Sequence, residues 1–169
     1  PADRPVAQIV SSRWSTEEAR DRLNEATEVM NKAGIKPGMT VADIGAGEGY
    51  YTIRLGERIG KKGRVVAEDI VPAVTEALSQ RVLRGPQLGN VFVQLGLPTN
   101  PKLPDASFDR VLMVHMYHEI EQPYEFLWRL RPSLKPDGLV VGVDGNRPKQ
   151  NHGTPPARLK CEVAAVGDP

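Results

Sequence analysis

Residues Val41 to Thr52 read Val-Ala-Asp-Ile-Gly-Ala-Gly-Glu-Gly-Tyr-Tyr-Thr, an apolar run that meets three glycines at alternate positions. Few folds accommodate such a segment. Val41, Ala42 and Ile44 suit a buried strand. Gly45, Gly47 and Gly49 suit a tight turn, because glycine takes positive φ without steric cost and lets a ligand lie against bare main chain. A helix-like stretch begins at once, so the turn ends on unpaired N–H groups. This order predicts a nucleotide-like ligand held by Asp43, Ile44, Gly45, Ala46, Gly47 and Gly49.

Spacing narrows the ligand. Dinucleotide-binding loops read G-x-G-x-x-G. Here the third glycine comes one residue early, and Tyr50 stands where that pattern has glycine. Asp43, two residues before the first glycine, would repel a pyrophosphate and suits a cationic ligand. Both features weigh against an NAD-linked oxidoreductase.

At 169 residues the chain is long enough for one domain with a proper core, and 40% hydrophobic with 25% charged residues is ordinary for a globular protein. The net charge of +1 carries no footprint of nucleic-acid binding. No apolar run approaches a bilayer-spanning length, and the single cysteine, Cys161, excludes an internal disulfide. A cytoplasmic protein is expected. The start at Pro1 leaves open a processed, trimmed or fragmentary chain and a removed signal peptide.

Strands and helices alternate along the chain. Residues 1–14 read as an extended arm, and 15–169 as a single domain. Ser15-Thr16-Glu17-Glu18 is a capping box with Ser15 as cap, opening one helix through Ala19, Leu23, Ala26, Met30 and Ala33 that stops at Gly34. Strands are expected at 40–44, 64–68, 90–95, 108–114 and 139–143. Helices are expected at 49–59, from Pro72 to near Gly85, at 124–134 and from 154 to about 166, with a turn at 134–138. This rhythm predicts an α/β fold whose parallel sheet is covered on both faces.

The loop Asp43-x-Gly45-x-Gly47-x-Gly49 resembles motif I of the class I S-adenosylmethionine-dependent methyltransferases. Further matches follow in order. Gly63 to Ile70 resembles the family's second strand, Leu103 to Val111 its approach to strand four, and Leu134-Lys135-Pro136-Asp137-Gly138 its turn before strand five. Together they cover about residues 36–144. The resemblance implies a Rossmann-like, doubly wound, mostly parallel sheet, lacking the last two strands the family adds. The fifth strand is then an open edge, with homodimerisation through it as a possibility.

The resemblance also implies site residues. S-adenosyl-L-methionine is the cofactor. Asp69 would accept the ribose hydroxyls, with Glu68 as second candidate and Ile70 as an apolar wall for the adenine. Both acids can alternatively cap the helix at Pro72. After the third strand, Gly96 and Leu97 border the base. The family commonly has Asp where this chain has Leu97, which weakens the adenine contact or hands it to a backbone group.

His115-Met116-Tyr117-His118-Glu119 follows the fourth strand, at the edge where open α/β sheets bind ligands. His115 is placed toward the methyl donor as a candidate base, with Tyr117 and His118 as further catalytic candidates. The alternative is that His118 and Glu119 merely orient the next helix. His115-x-x-His118-Glu119 does not reproduce a zinc-helix pattern, so no metal is expected unless the fold brings in His152. The polar stretch Asp144 to His152 lines an acceptor pocket or forms a solvated loop. Methyl transfer to a small-molecule acceptor is the expected activity. A non-catalytic or degenerate protein of the same fold is the rival.

Overall fold

In the computed structural model, residues 16–167 are described. Residues 1–14, read as an arm, and Ser15 lie outside them. Five strands form one parallel sheet: β1 (Thr40–Ile44), β2 (Arg64–Asp69), β3 (Val91–Leu95), β4 (Phe108–Val114) and β5 (Leu134–Val143), in the order β3-β2-β1-β4-β5. The order reverses at β1. That crevice, between the outward-running halves, is where open α/β sheets take their ligands.

Strand alternation sorts the side chains onto two faces. Val41, Val65, Ala67, Leu112 and Val114 pack on one face against α2 (Glu25–Lys32), α3 (Tyr50–Ile59) and α4 (Pro72–Leu83). Ala42, Ile44, Val66, Val111 and Met113 pack on the other against α5 (Pro123–Leu130) and Val166, just beyond α6 (Pro156–Ala165). Two-sided burial explains why β1 reads as an apolar run. It also makes Asp43 (3% exposed) and Glu68 (1% exposed) exceptions that need a reason.

Two local expectations are corrected. The first helix is two: α1 (Glu17–Arg22) and α2 are separated at Asn24, whose φ of 56 is left-handed. Apolar periodicity runs through the break because α1 buries no residue, so nothing in it shows where packing begins. Thr16 is the N-cap of α1, its Oγ1 accepting from the Ala19 N–H at 3.2 Å.

The second correction concerns β5. Helix α5 ends at Leu130, and after a 3-10 turn at Arg131–Ser133 the strand already begins at Leu134. The segment expected as a turn is a bulge within the strand: Leu134 pairs with Phe108, but Leu139 pairs with Arg110. Gly138 permits this, since a Cβ there would stand 2.6 Å from the Phe108 carbonyl oxygen.

Among the described residues β5 pairs only with β4. A groove of about 450 Å³ beside it is lined by Val29, Ala33 and the run Leu139–Val143. No described helix is long and apolar enough to cross a membrane.

Candidate active site

The glycine turn is built as its sequence requires. Gly45, Gly47 and Gly49 have φ of 67, 57 and 95. A Cβ on Gly45 would stand 2.9 Å from Met116 Cβ, and one on Gly49 2.5 Å from Leu78 Cδ1, so conformation and space both demand glycine. The end of β2 clamps the turn. The Ala46 N–H donates to the Glu68 carbonyl at 2.9 Å, and the Gly47 N–H to Asp69 Oδ2 at 3.1 Å. Gly49 then caps α3, whose first turn faces the crevice with no side-chain cap.

Three carboxyl groups gather here. Asp43 lies at the end of β1 and accepts from Thr52 Oγ1 at 2.6 Å, tying the strand to α3. Burial, reinforced by the charge of Asp69, pushes it up to about 6. Asp69 is half-buried, and besides Gly47 its Oδ1 accepts the Val71 N–H at 3.1 Å. It therefore orders both the glycine turn and the entry to α4, so one of its two expected roles is local. Glu68 points to the opposite face of the sheet. Burial first, then the charges of Asp69 and Asp43, push it up to about 8, opposed by the Gly45 N–H. Ile70 is half-buried, Gly96 is buried and Leu97 is 45% exposed at the mouth beyond β3.

The far side of the crevice is made of side-chain pairs. All three histidines of the chain stand at the ends of β4 and β5 or in the segments just after them. His115 and His152 are in left-handed backbone conformations, with φ of 55 and 57, a strain that non-glycine residues carry mostly where the surroundings impose it. His115 is exposed, and its Nε2 lies 2.9 Å from Glu25 Oε1. Glu25 also takes both Arg20 nitrogens and the Tyr51 hydroxyl. Burial works against its charge, yet these partners hold its carboxyl well below the usual range.

His118 is buried, and its Nδ1 lies 2.9 and 3.1 Å from the two oxygens of Asp144. Asp144 accepts further from Thr154 Oγ1 at 2.8 Å and from the Gly145 N–H at 2.9 Å. Burial opposes ionisation, but the bonds from His118 and Thr154 hold Asp144 below its ordinary value. With Nδ1–H engaged, the basic lone pair of His118 is on Nε2, 3.9 Å from Glu119 Oε1. Burial pushes Glu119 up to about 7; His118 counteracts this and the charges of Asp69 and Asp144 add to it.

Tyr117 points elsewhere. Fully buried, it donates to Glu162 Oε2 on α6 at 2.7 Å, with the Lys149 ammonium 4.5 Å over its ring. The pair pins α6 to the end of β4. Expected among the catalytic candidates, Tyr117 belongs by its contacts to the scaffold.

The first helical stretch, expected to pack against the sheet or to lie over the ligand, supplies a cover over the turn. Helix α1 is held by charge: Glu17 to Arg81 at 2.6 Å, and Asp21 to Arg54 at 2.6 Å. Arg81 also donates to the Glu48 carbonyl of the glycine turn, at 2.9 Å. The Arg20 guanidinium sits 3.8 Å over the Tyr50 ring. Among the described residues, no group of three or more His, Cys, Asp and Glu is placed to hold a metal ion.

These residues suit a nucleoside carrying positive charge. The cradle is bare glycine, and among the described residues Glu68 Oε1 has no hydrogen-bond partner and no cation draws Glu68 back toward ionisation.

The known proteins agree. The sequence pattern of a methyltransferase domain matches residues 42–142. The ubiquinone/menaquinone biosynthesis C-methyltransferase UbiE of Hydrogenovibrio crunogenus is 28% identical over 118 residues, which span 70% of this chain and 46% of the relative. The tRNA (adenine(58)-N(1))-methyltransferase TrmI of Thermus thermophilus is 27% identical over 117 residues, 69% of this chain and 44% of the relative. The chain thus spans about half the length of these relatives. A SAM-dependent methyltransferase of Aquifex aeolicus shares the fold, with a TM-score of 0.78 at 24% identity over 90% of this chain and 88% of the other. The chain belongs to the methyltransferase domain family, of the class I, Rossmann-like kind whose cofactor is S-adenosyl-L-methionine.

Proposed function

We propose that this domain binds S-adenosyl-L-methionine at the glycine turn and transfers its methyl group to a small-molecule acceptor. The observation that carries the reading is the clamp of the turn onto β2: Gly47 donates to Asp69, three glycines have positive φ, and the open end of α3 follows. Asp69 keeps lone pairs for the ribose hydroxyls beside Ile70, and Asp43 under the turn favours a cationic ligand. The bound cofactor supplies a methyl on a sulfonium, already an excellent leaving group. The protein's task is then to position, desolvate and remove a proton.

Of the histidines, His118 is arranged for the proton. Asp144 fixes its Nδ1–H and stabilises the imidazolium, leaving Nε2 to accept from a hydroxyl or ammonium of the acceptor. His115, engaged by Glu25 of α2, borders the methyl side. Relatives named for quinone and for tRNA substrates lie at similar identity, so the acceptor class rests on the nearly balanced charge. In the same reading the open edge of β5 pairs with a second copy. Light scattering that finds only monomer at tens of micromolar would remove that part.

Calorimetric titration with S-adenosylhomocysteine tests the core of the reading. A binding heat with a one-to-one endpoint is expected. Folded protein that takes up neither S-adenosylhomocysteine nor S-adenosylmethionine overturns it. Leu97 favours one rival, a family member that binds without turnover. Tight binding with no methylated product from any acceptor would select that rival.

A further inference from the structure

Glu68 is a charged residue type placed where the sheet is otherwise apolar. It is 1% exposed, on the face built from Ile44, Val66 and Met113, and among the described residues its Oε1 has no hydrogen-bond partner. Leaving a buried carboxyl oxygen unmatched is costly, and native structures rarely carry one without a use. Among the described residues no ammonium or guanidinium offsets it, since the charges that act on it are those of Asp69 and Asp43. The carboxyl is also walled in by loops. Its register partners are Ile44 and Gln94, each leading within two residues into a loop of the crevice, Gly45 on one side and Gly96 on the other. Oε1 lies against Gly96 so closely that any Cβ there would overlap it. Gly96 is therefore glycine on account of Glu68.

Asp69 differs in kind. Both of its oxygens already accept backbone N–H groups, from Gly47 and Val71, and it faces the glycine turn. The two neighbouring acids thus serve opposite sides of one pocket. One has its bonds made and orders the loop; the other has an acceptor waiting below the segment Gly96-Leu97, where Leu97 offers only hydrocarbon.

We infer that Glu68 is the hydrogen-bond acceptor for the exocyclic amino group of the adenosyl ligand, replacing from strand β2 the acceptor that Leu97 does not provide. This rests on the reading of the glycine turn as an S-adenosylmethionine site. Being pushed up to about 8, Glu68 is largely protonated near neutral pH, and a protonated carboxyl still accepts through its carbonyl oxygen.

The test compares two probes by calorimetry at pH 7: S-adenosylhomocysteine, and its analogue with hydrogen in place of the exocyclic amino group. Wild type should prefer the amino compound by about two- to tenfold, the range of a hydrogen bond between neutral groups. Glu68→Leu should erase that preference by weakening only the amino compound. Its melting transition is recorded alongside to show that it folds, since the change also removes the acceptor of the Gly45 N–H. Glu68→Gln keeps an acceptor oxygen and should keep most of the preference.

A wild type that binds both probes equally overturns the inference without any variant. So does Glu68→Leu if it loses both probes alike, or if it retains the preference. Failure of wild type to bind S-adenosylhomocysteine at all is the distinct result that removes the parent reading, and this inference with it.

Discussion

The two ends of the crevice are made of different material. At the β1–β2 end the ligand surface is backbone: three glycines, a helix start, and carboxyl groups that mostly bond to main-chain N–H groups. At the β4–β5 end it is side chain on side chain: His118 with Asp144, Asp144 with Thr154, Tyr117 with Glu162, His115 with Glu25. The carboxyl groups record the difference. Asp43 and Glu68 are pushed up because burial acts on them with little to answer it, whereas Asp144 is held down by partners that more than offset the same burial. The first end is left short of positive charge and donors. The second satisfies itself and leaves one imidazole nitrogen outstanding.

If that contrast is right, the backbone end tolerates least. Gly49→Ala adds a Cβ 2.5 Å from Leu78 Cδ1 at a φ of 95. It should cost about 2–4 kcal/mol of stability, from left-handed strain plus overpacking, measured by urea unfolding. A loss under about 1 kcal/mol would show that the turn relaxes easily and that its glycines serve ligand approach alone.

At the side-chain end, Tyr117→Phe removes one buried donor from Glu162 and should cost about 1–3 kcal/mol in the same measurement. The binding of S-adenosylhomocysteine should be unchanged. A variant as stable as wild type that no longer binds would return Tyr117 to the ligand site.

The pH dependence of stability separates, by sign, the acids that burial pushes up from the one its partners hold down. Glu68, Glu119 and Asp43 have folded values raised to about 8, 7 and 6. Each stabilises fully below its unfolded value, and that contribution is lost as pH rises through the folded one. Asp144 is lowered, so its contribution is present above the unfolded value and is lost as pH falls through the folded one. Melting temperature should therefore decline from about pH 5 to pH 8.5 and also fall in strong acid. Glu68→Gln should flatten the upper part of the decline, whereas Asp144→Asn should flatten the acid limb. A wild-type melting temperature that climbs steadily from pH 5 to 8 would contradict the burial of these acids.

The smallest effect belongs to His115. His115→Gly gives up a partly exposed bond to Glu25 but relieves a positive φ, so the two should nearly cancel, within about 0.5 kcal/mol. A destabilisation beyond about 2 kcal/mol would mean that this contact fixes α2.

The same contrast explains what could be read from the chain beforehand. A backbone site is local in sequence. Gly45, Gly47, Gly49 and Asp69 lie within one βαβ unit, and glycine spacing carries geometry directly, so this end and the existence of five parallel strands were legible. Asp144 meets His118 across 26 residues, and Glu25 meets His115 across 90. Neither partner carries any mark of the other. Hence Tyr117 looked catalytic by position and proved to be bonded to α6. Glu68 was a second choice for the ribose because its residue type was visible, but not the face on which the alternation of β2 would put it.

Helix α1 gives the last contrast a practical form. It buries no side chain and stays beside the glycine turn through Glu17, Asp21, Arg54 and Arg81, while the sheet beneath it coheres through apolar contact. Dissolved salt weakens partly exposed ion pairs and leaves apolar packing intact. Ionic strength is thus a dial that lifts the lid and spares the box.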